Sequence, residues 1–518
     1  MYERRRKLWG WGYEDRQSSP EEIEQVGRGA REQLGFEPVE VERPPRLEDI
    51  ELPPPRVEPP EALAPLCSSD THARATHAYG KAYRDLVRAL RGQFDHPPDV
   101  VAHPSDEAEL EQVLDWCATV GAAAIPFGGG TSVVGGVEAR VPQQTAVTID
   151  LGRMDRVLEV DAVSRAARIQ AGATGPHLEE QLKAHGLTLR HYPQSFEYST
   201  LGGWIATRAG GHFATLHTHI DDFVESVRAL TPSGAWESRR LPGSGAGPSP
   251  DRMLIGSEGI LGVITEAWVR VQEVPRFKVS AAVRFDDFEQ GARAVRALAQ
   301  SGLYPSNCRL LDPGEAALTG ASQDGGALLV LGFESPDHDV EAWMARAEEL
   351  CGDFGGEPRR RGGGEGAWRD AFLRAPYLRD ALIAAGILAE TFETAITWDR
   401  FDEFVAEVRT KATAALGPDG RLTCRITHAY PDGAAPYFTV LAPARRGSEL
   451  EQWDEVKAAA SEAIESAGGT ITHHHAVGRD HRPWYDRQRP DPFADALRAA
   501  KAAVDPQGIL NPGVLIDP

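Results

Sequence analysis

The chain has 518 residues and a formal net charge of −22 at pH 7, with 41% apolar and 25% charged residues. These values indicate a globular protein of two to four domains with a substantial core. The negative charge argues against a nucleic-acid-binding protein and against one held on an anionic membrane surface, and any anionic ligand needs locally placed cations.

The cysteines, the termini and the apolar runs bear on the compartment. Five cysteines are scattered without a C-x-x-C pair, which disfavours a disulfide framework or a zinc site and is typical of a reducing cytosol. The first residues, M-Y-E-R-R-R-K, lack the apolar segment of a secretory signal, and the last, V-L-I-D-P, are not a peroxisomal address. No apolar run approaches the ~20 residues of a transmembrane helix. We therefore expect a cytoplasmic protein.

Residues 1–95 predict an N-terminal arm and helical region. They are polar and rich in proline, and a helix is expected from about Thr76 to Gly92. The segment L-W-G-W-G-Y at Leu8–Tyr13 carries three aromatic side chains that would be costly to leave in water, so we expect it to dock on the body. The run Arg4–Lys7 is either a solvated stretch of charge or a group that faces a phosphate.

Residues 96–275 predict alternating strands and helices. One helix begins with a serine cap at Ser105 and ends near Val120, and a second is closed by Gly186. The expected strands lie near residues 100–104, 122–127, 145–150, 157–160, 166–171, 224–231 and 263–271.

The segment P-F-G-G-G-T-S-V-V-G-G at Pro126–Gly136 follows an apolar run. Three consecutive glycines lack Cβ and reach positive φ, so the loop can turn tightly and converge its N–H groups on an anion. Thr131 and Ser132 add hydroxyl donors. The motif is neither a Walker loop nor the G-x-G-x-x-G fingerprint that opens a helix. A pyrophosphate held by a loop between two strands fits it better, with a plain turn as the alternative.

Two further segments are rich in glycine. Gln194–Gly211 combines serine, threonine and paired glycines with an apolar anchor, a mixture that suits close approach of backbone to a ligand. Asp251–Val271 carries the spacing G-x-x-G-x-x-G before a β-branched strand. Each segment alone is also consistent with an ordinary tight turn. Three such turns in one region are much more specific than any one of them.

Residues 276–455 predict a second α+β unit, a sheet that carries helices. Its basic, glycine-rich linker at Arg359–Gly366 is expected to be mobile, with a loop over an anionic ligand as the alternative. Residues 456–518 contain G-G-T-I-T-H-H-H-A-V-G-R and a final helix. The expected helices of the second unit are Phe288–Ser301 and Asp337–Gly352, and its expected strands include 281–285, 307–312, 327–333, 421–429 and 437–441. A further helix, Glu449–Ala467, is expected to open the last stretch of the chain.

Several of these segments together resemble the vanillyl-alcohol oxidase/p-cresol methylhydroxylase (PCMH) superfamily of flavoproteins and, within it, the alkyldihydroxyacetonephosphate synthase family. They include W-G-W-G-Y, P-F-G-G-G-T-S, S-F-E-Y-S-T-L-G-G-W-I-A-T-R-A, G-S-E-G-I-L-G-V-I-T-E, Y-L-R-D, E-T-F-E-T-A-I-T-W-D-R and T-H-H-H-A-V-G. The resemblance implies an α+β fold with a PCMH-type, two-subdomain FAD-binding domain at 96–275. It further implies a cap domain with an antiparallel sheet at 276–455, and a segment at 456–518 that returns to the FAD domain with the histidine cluster.

The resemblance also implies which residues bind FAD. The glycine loop has no histidine, the usual flavin-linking residue of this superfamily, so we expect FAD to be bound without a covalent bond. Gln194, Ala206 and Ala476 replace an aspartate, a serine and a glycine of the family pattern. The implied FAD-binding residues are Pro126, Phe127, Gly128, Gly129, Gly130, Thr131, Ser132, Gln194, Ser195, Phe196, Glu197, Tyr198, Ser199, Thr200, Ala206, Thr207, Arg208, Ala209, Glu258, Gly259, Ile260, Leu261, Gly262, Val263 and Ile264.

The triple histidine allows several roles. We expect it to continue a strand, so that His473 and His475 share one face and His474 lies opposite. Because imidazole changes charge near neutral pH, acid–base catalysis or anion binding is favoured. No Asp, Glu or Cys lies nearby at ligand spacing, so we expect no metal. Support of the flavin, or a purely structural role, is the alternative.

The resemblance implies a reaction and its residues. The acyl chain of an acyl-dihydroxyacetone phosphate is exchanged for a fatty alcohol, which makes an ether lipid without net redox change. Tyr437 and the histidines would move protons, Arg379 would bind the polar head, and Arg309 is a second functional arginine. From the residues alone, a strand tyrosine such as Tyr437 is more often part of the core, and either arginine could equally be an ordinary surface group.

Two other functions stay open at this point. One is an FAD-linked dehydrogenase of a 2-hydroxy acid such as glycolate or D-lactate, with histidine as base and arginine on the carboxylate. The other is a flavoprotein without catalysis. We expect the protein to bind a small anionic or lipid substrate and to form a homodimer. We expect it not to bind nucleic acid, and peripheral membrane contact is a further option.

Overall fold

The structure, a computed structural model, describes residues 4–16, 18–141, 143–359 and 375–517. The predicted basic linker at Arg359–Gly366 lies outside these ranges except for its first residue. Three main sheets carry the described chain, two in the first half and one in the second. The predicted α+β fold is confirmed.

The first region holds two sheets that lead into the glycine-rich turns. The strand that precedes the first turn, Ala123–Phe127, is the edge strand of a sheet whose three longer strands run parallel. In open sheets of parallel strands, ligands bind beyond the carboxyl ends of the strands, where this turn begins. The four-stranded sheet has the order Cys67–Ser68, Val100–Ala102, Ala146–Asp150, Ala123–Phe127; the antiparallel five-stranded sheet has the order Val157–Asp161, Ala166–Gln170, Val263–Arg270, Val224–Thr231, Gly234–Glu237. A ribbon pairs Leu187–Thr188 with Gln272–Glu273, and the helices are Glu107–Val120, Gly175–Lys183, Leu201–Thr207 and Pro250–Leu254.

Helix Glu107–Val120 shows how local sequence sets the boundaries. The Asp106 side chain accepts the N–H of Glu109 at 2.9 Å, and Gly121 closes the helix with φ of +67°. The predicted cap, Ser105, is one residue early, because its hydroxyl instead donates to the Glu109 carboxylate at 2.7 Å.

The cap region is one antiparallel sheet covered by helices. In the part of the chain that the structure describes, no helix combines the length and the apolar character needed to cross a bilayer. The sheet order is Glu357–Arg359, Phe277–Phe285, Ala327–Ser335, Asn307–Leu311, Arg421–Ala429, Gly433–Pro443, Ile387–Glu393, with Ile396–Thr397 paired to Gly433–Pro443. The helices are Phe288–Gln300, Pro313–Leu318, Glu341–Gly352, 375–384, Phe401–Leu416 and Glu449–Ser466.

The N-terminal region contains a helix, Pro20–Leu34, that sequence reasoning missed. Its signal is a capping box in which Ser19 and Glu22 bond reciprocally to each other's backbone N–H. The helix predicted at 76–92 is instead split into Thr71–Thr76 and Tyr83–Leu90. The break lies at Gly80, where a Cβ would overlap the carbonyl oxygen of Ser132 in the first glycine turn. Trp9, Trp11 and Tyr13 are buried, which confirms the predicted docking of the tryptophan segment.

Two hydrophobic cores organise these parts. One lies under the sheets of the first region, and the other joins the cap helices to the N-terminal residues Trp9, Ile23 and Tyr83. The proposed boundary at 455/456 falls inside helix Glu449–Ser466. Beyond it, helices Arg482–Gln488 and Asp491–Val504 lead back to the first region. There the N–H of Ala124 donates to the carbonyl of residue 509 at 2.8 Å.

Candidate active site

A cavity of about 400 Å³ lies between the first region and the cap. All three glycine-rich turns line one side of it. The opposite side is formed by strands Arg421–Ala429 and Gly433–Pro443 and by helix 375–384. Segments that are far apart in sequence therefore meet around one space.

The first glycine turn is packed so closely that side chains are excluded from it. A Cβ at Gly128 would overlap the Thr200 hydroxyl, and one at Gly129 would overlap the Tyr198 carbonyl oxygen. Gly130 adopts φ of +67°, a conformation that favours glycine. The first and second glycine turns therefore form a single backbone surface.

The N–H groups of the first turn suit an anion. Within the part of the chain that the structure describes, the N–H groups of residues 128–132 donate to no other residue. All five residues line the cavity. Converging unpaired N–H groups form a nest that binds phosphate oxygens. This surface therefore fits the pyrophosphate of a dinucleotide such as FAD.

The third glycine turn is centred on Glu258. Its buried carboxylate accepts the N–H groups of Val477 and Gly478 at 2.9 and 2.8 Å. Burial raises the pKa of Glu258 to about 7, although these hydrogen bonds act in the opposite direction. The Asn511 amide donates to the carbonyl oxygens of Glu258 and Gly136 at 2.7 and 3.1 Å. This turn thus joins the C-terminal segment to the first turn.

Most of the predicted FAD-binding residues lie on the cavity wall, and their role stays a prediction. Those that line it are Pro126, Phe127, Gly128, Gly129, Gly130, Thr131, Ser132, Gln194, Ser195, Ser199, Thr200, Ala206, Thr207, Ala209, Glu258, Gly259, Gly262 and Ile264.

Seven of the predicted FAD-binding residues do not line this cavity. Ile260, Leu261 and Val263 are fully buried in the core of the first region, where they support the turn from behind. Arg208 bonds to Asp221 at 2.9 Å. The other three are Phe196, which packs on Trp204, Tyr198, which packs on Trp11 and Tyr13, and Glu197, which accepts a bond from Tyr377.

Tyr437 lies on the cap wall beneath Arg425, an arginine that was not among the predicted site residues. The Arg425 guanidinium carbon lies 3.9 Å from the centre of the Tyr437 ring, and Arg425 is ion-paired with Glu315. Burial raises the pKa of the Tyr437 hydroxyl, and the nearby Arg425 charge partly opposes that rise. Arg425 is therefore placed to stabilise negative charge that develops on the tyrosine.

Arg379 lines the cavity but is largely engaged by the protein. Its guanidinium donates to the carbonyls of Ala389 and Lys81 at 2.9 and 3.0 Å and to the Glu390 carboxylate at 3.0 Å. A guanidinium has five N–H donors, so two remain for a ligand.

Arg309 also lines the cavity, from strand Asn307–Leu311. Burial, and then the nearby Arg425 charge, lowers the pKa of Arg309 to about 9. A buried cation of this kind favours an anion brought into the cavity.

The histidine cluster does not continue a strand, so the prediction of alternating faces is wrong. Residues 468–478 form a loop wrapped around the buried carboxylate of Glu393. That carboxylate accepts the N–H groups of His473, His474 and His475 at 2.7 to 3.2 Å. Burial acts to raise the pKa of Glu393, but the surrounding histidines and the Thr472 hydroxyl, which donates to it, hold that pKa well below its ordinary value. Glu393, which gathers these N–H groups, lies 80 residues earlier in the chain, so the sequence around the histidines does not reveal it.

The contacts of His474 favour one tautomer. Its Nδ1 lies 2.9 Å from His473 Nδ1 and 3.5 Å from a Glu393 oxygen, which places the hydrogen on Nδ1. Its Nε2 bonds to no residue that the structure describes. Burial lowers the pKa of His474 to about 3, so the ring is neutral near pH 7. His474 and His475 line the cavity, whereas His473 lies behind them.

Three further residues complete the cluster. His219 Nε2 and the Tyr430 hydroxyl lie 3.1 and 2.7 Å from His473 Nε2. His428, His473 and His474 place ring nitrogens within 4.8 Å of one another, a spacing that also suits a metal ion. The expectation of no metal considered only neighbours in sequence and missed His428 and Glu393.

Comparisons with known proteins bear on the cavity. Two family models match the chain, FAD binding domain at residues 98–238 and FAD linked oxidases, C-terminal domain, at residues 274–515. The chain is 32% identical to alkyldihydroxyacetonephosphate synthase of Trypanosoma brucei brucei over 508 residues, which cover 90% of this chain and 82% of that protein. It is similar to a solved alkyldihydroxyacetonephosphate synthase, with TM-score 0.82, 27% identity and 98% of both chains covered. A solved p-cresol methylhydroxylase shares the fold, with TM-score 0.72 and 14% identity over 88% of this chain and 94% of that one.

Proposed function

We propose that this chain, which belongs to the alkyldihydroxyacetonephosphate synthase family, exchanges the acyl chain of an acyl-dihydroxyacetone phosphate for a fatty alcohol. FAD is its cofactor, as the sequence predicted, and the predicted family is confirmed. When bound, FAD supplies the reactive isoalloxazine ring, used here without net redox change.

The observation that carries this proposal is the apolar end of the cavity. The lining includes Leu318, Leu382 and Leu441, which belong to helix Pro313–Leu318, helix 375–384 and strand Gly433–Pro443. Leu382 and Leu441 belong to a buried apolar cluster. A 2-hydroxy acid has no use for such a lining, whereas a fatty chain is stabilised by it at about 25 cal/mol per Å² of apolar surface removed from water.

The polar part of the cavity suits the phosphate head. In a protein of net charge −22, arginines Arg309, Arg379 and Arg425 all line this one space. Guanidinium groups bind phosphate oxygens in pairs. We assign the head group to Arg309 and to Arg379, which keeps two N–H donors beside its bond to Glu390, whereas Arg425 is held by Glu315 over the Tyr437 ring.

The exchange requires a base and an acid. The bond between C1 and the ester oxygen breaks, the fatty acid leaves as a carboxylate, and the alcohol oxygen bonds to C1 after losing its proton. His474 Nε2 is placed to take that proton, and its Nδ1 hydrogen is held by His473 and Glu393. Tyr437 then protonates the departing carboxylate, and the proton taken by His474 returns to the Tyr437 oxygen, so that ester and alcohol become ether and fatty acid.

Purified holoenzyme should be assayed with palmitoyl-dihydroxyacetone phosphate and labelled hexadecanol. We expect one fatty acid released for each ether formed and no reduction of an added dye. Reduction of the dye with glycolate or D-lactate, without exchange, would instead support the dehydrogenase. If flavin-loaded protein shows neither activity, the result supports a binding role without catalysis.

We propose that FAD is bound without a covalent bond, since residues 126–136 contain no histidine. Acid precipitation should release the flavin into the supernatant. Flavin that stays with the pellet would contradict this, and the rings of His474 and His475 would then be the first groups to examine.

Partners and location rest on the same proposal. Both proposed substrates carry long apolar chains, which supports a peripheral contact with a membrane surface. The homodimer and the cytoplasmic location stay predictions from the sequence. Light scattering after size exclusion, and flotation with lipid vesicles, test the dimer and the membrane contact.

A further inference from the structure

Residues 4–15 form a hairpin, called here the N-terminal hairpin, that the reaction proposed above does not use. Arg6 pairs with Tyr13 in an antiparallel bridge, and the N–H of Lys7 donates to the Gly12 carbonyl at 3.1 Å. The N–H of Glu14 donates to the Arg5 carbonyl at 2.9 Å, which closes the base of the hairpin.

The tip of the hairpin is fitted to the cap and to the second glycine turn. The N–H of Trp11 donates to the buried Asp380 carboxylate at 2.8 Å, on helix 375–384. Gly10 and Gly12 adopt φ of +83° and +92°. A Cβ at Gly10 would overlap Asp380, and one at Gly12 would lie 2.6 Å from the Tyr198 hydroxyl oxygen. The tip is thus held in one position between two parts of the cavity wall.

Arg6 lies under the first glycine turn. Its guanidinium donates to the carbonyl oxygens of Gly128 and Gly129, both at 3.0 Å. It also lies 3.5 Å from the Asp150 carboxylate and 5.1 Å from the centre of the Phe127 ring. The fork of one side chain therefore holds two consecutive peptide groups from the side of their oxygens.

A peptide group is planar, so its carbonyl oxygen and the N–H of the next residue point in opposite directions. Fixing the oxygens of Gly128 and Gly129 fixes the direction of the N–H groups of Gly130 and the residue before it. Those N–H groups belong to the five that bond to no other described residue and whose residues line the cavity.

We propose that Arg6 of the N-terminal hairpin is a positioning residue of the FAD site, which orients the glycine turn so that its N–H groups bind the FAD pyrophosphate. Lys7 and Lys81 lie on the same outer side of the turn, around a small space that Thr131 and Arg6 also line. Their charges favour a dianionic group on the turn in an otherwise acidic protein. Neither alternative for the basic run Arg4–Lys7 describes Arg6, which is not solvated and which bonds the side of the turn opposite its N–H groups.

The test measures FAD binding rather than turnover, so it is independent of the substrate proposed above. FAD is removed, and its dissociation constant is measured by the quenching of flavin fluorescence on rebinding. We expect Arg6→Ala to raise the dissociation constant about tenfold to hundredfold, since two charge-assisted hydrogen bonds and the order of the turn are lost. Arg5→Ala is the matched control, because Arg5 is half exposed on the same hairpin and should leave the constant unchanged.

Arg6→Lys separates positioning from charge. Lysine keeps the charge beside Asp150 but cannot bond both carbonyls in a fork. We expect it to match the wild type in thermal stability without FAD and still to bind FAD at least tenfold more weakly. If Arg6→Lys binds FAD as tightly as the wild type, the fork is unnecessary and the proposal is wrong. If Arg6→Ala cannot be purified, the rate of FAD release from the Arg6→Lys holoenzyme decides by the same criterion.

Discussion

The two walls of the cavity recognise their ligands by different means. The wall of the first region is made mostly of backbone, and each of its three glycine turns has at least one glycine at which a Cβ would overlap a neighbour. The cap wall is made of side chains that carry charge or protons, the buried Arg309, Arg425 and Tyr437 and the partly exposed Arg379 among them. A backbone wall holds a cofactor of constant shape, whereas a side-chain wall can perform chemistry on a substrate.

This difference separates binding from catalysis in a testable way. Changes in the wall of the first region should remove flavin, because an added side chain there would displace the backbone that contacts the cofactor. Changes in the cap wall should leave flavin in place and alter turnover or substrate affinity. Substitutions in the two walls should therefore differ in whether flavin is lost or turnover is changed.

The largest effect is expected for Gly129→Ala. Its Cβ would overlap the backbone of Tyr198, so the first two glycine turns would have to separate. We expect the variant to purify without visible flavin absorbance. The control is Gly29→Ala in helix Pro20–Leu34, which has open space around it and should be stabilised by roughly 0.5–1 kcal/mol. A yellow Gly129→Ala protein would remove the distinction between the walls.

Tyr437→Phe should come next. The ring keeps its packing against Arg425, and only the hydroxyl is lost. Turnover should fall about 100- to 10,000-fold, the range for a lost proton-transfer group, with flavin absorbance unchanged. The control is Tyr83→Phe, which deletes the hydroxyl of a buried tyrosine outside the cavity lining. Full turnover by Tyr437→Phe would make Tyr437 a core residue.

Arg379→Lys should have a smaller effect, confined to substrate binding. Lysine keeps a charge beside the buried Glu390 but loses the paired donors that a phosphate needs. We expect the Michaelis constant for the anionic substrate to rise by the equivalent of ~1.5–3 kcal/mol, with flavin content intact. Arg409→Lys, outside the cavity lining and paired with Asp312, should leave that constant unchanged. An unchanged constant in Arg379→Lys would move the head group to another arginine.

The smallest effect concerns pH and tests how dry the first wall is. Burial lowers the pKa of His191 to about 3, behind the second glycine turn against Trp204 and Phe223. The unfolded chain takes up this proton near pH 6.5, so the stabilisation is complete above that pH and is lost as pH falls towards 3. The free energy of unfolding should drop by about 1.4 kcal/mol per pH unit for this group.

His191→Gln should reduce the slope of the unfolding free energy against pH by about 1.4 kcal/mol per pH unit, the contribution of one proton. Urea unfolding between pH 6 and 4.5 measures this slope. His185→Gln, at an exposed position, should leave it as in the wild type. Equal slopes for wild type and His191→Gln would mean that water reaches the back of the turn.

The first wall was largely predictable from sequence because its requirement is local. Consecutive glycines state that the backbone must come close to something, and hydroxyls beside them indicate an anion. The strands that flank these turns follow from their apolar and β-branched runs. Even so, the sequence did not show that Ile260, Leu261 and Val263 face the core rather than the ligand.

The cap wall was less predictable, since its geometry depends on residues that meet only in the fold. Nothing near the triple histidine indicates that the buried carboxylate of Glu393 organises it, or that His219 reaches it from the first region. The positive charge beside Tyr437 is that of Arg425, which looks in the sequence like an ordinary strand arginine. The break at Gly80 is likewise set by a contact with the glycine turn.

The hydrogen bonds from Asn511 to Gly136 and Glu258 also bear on how the protein is made. The first glycine turn leaves the ribosome about 380 residues before Asn511 does. At roughly 5–20 residues per second, this is a delay of about 20–75 s. During that time the nascent chain contains the first glycine turn but lacks Asn511, which bonds to that turn in the folded protein. Flavin loading should therefore be completed only after position 511 has emerged.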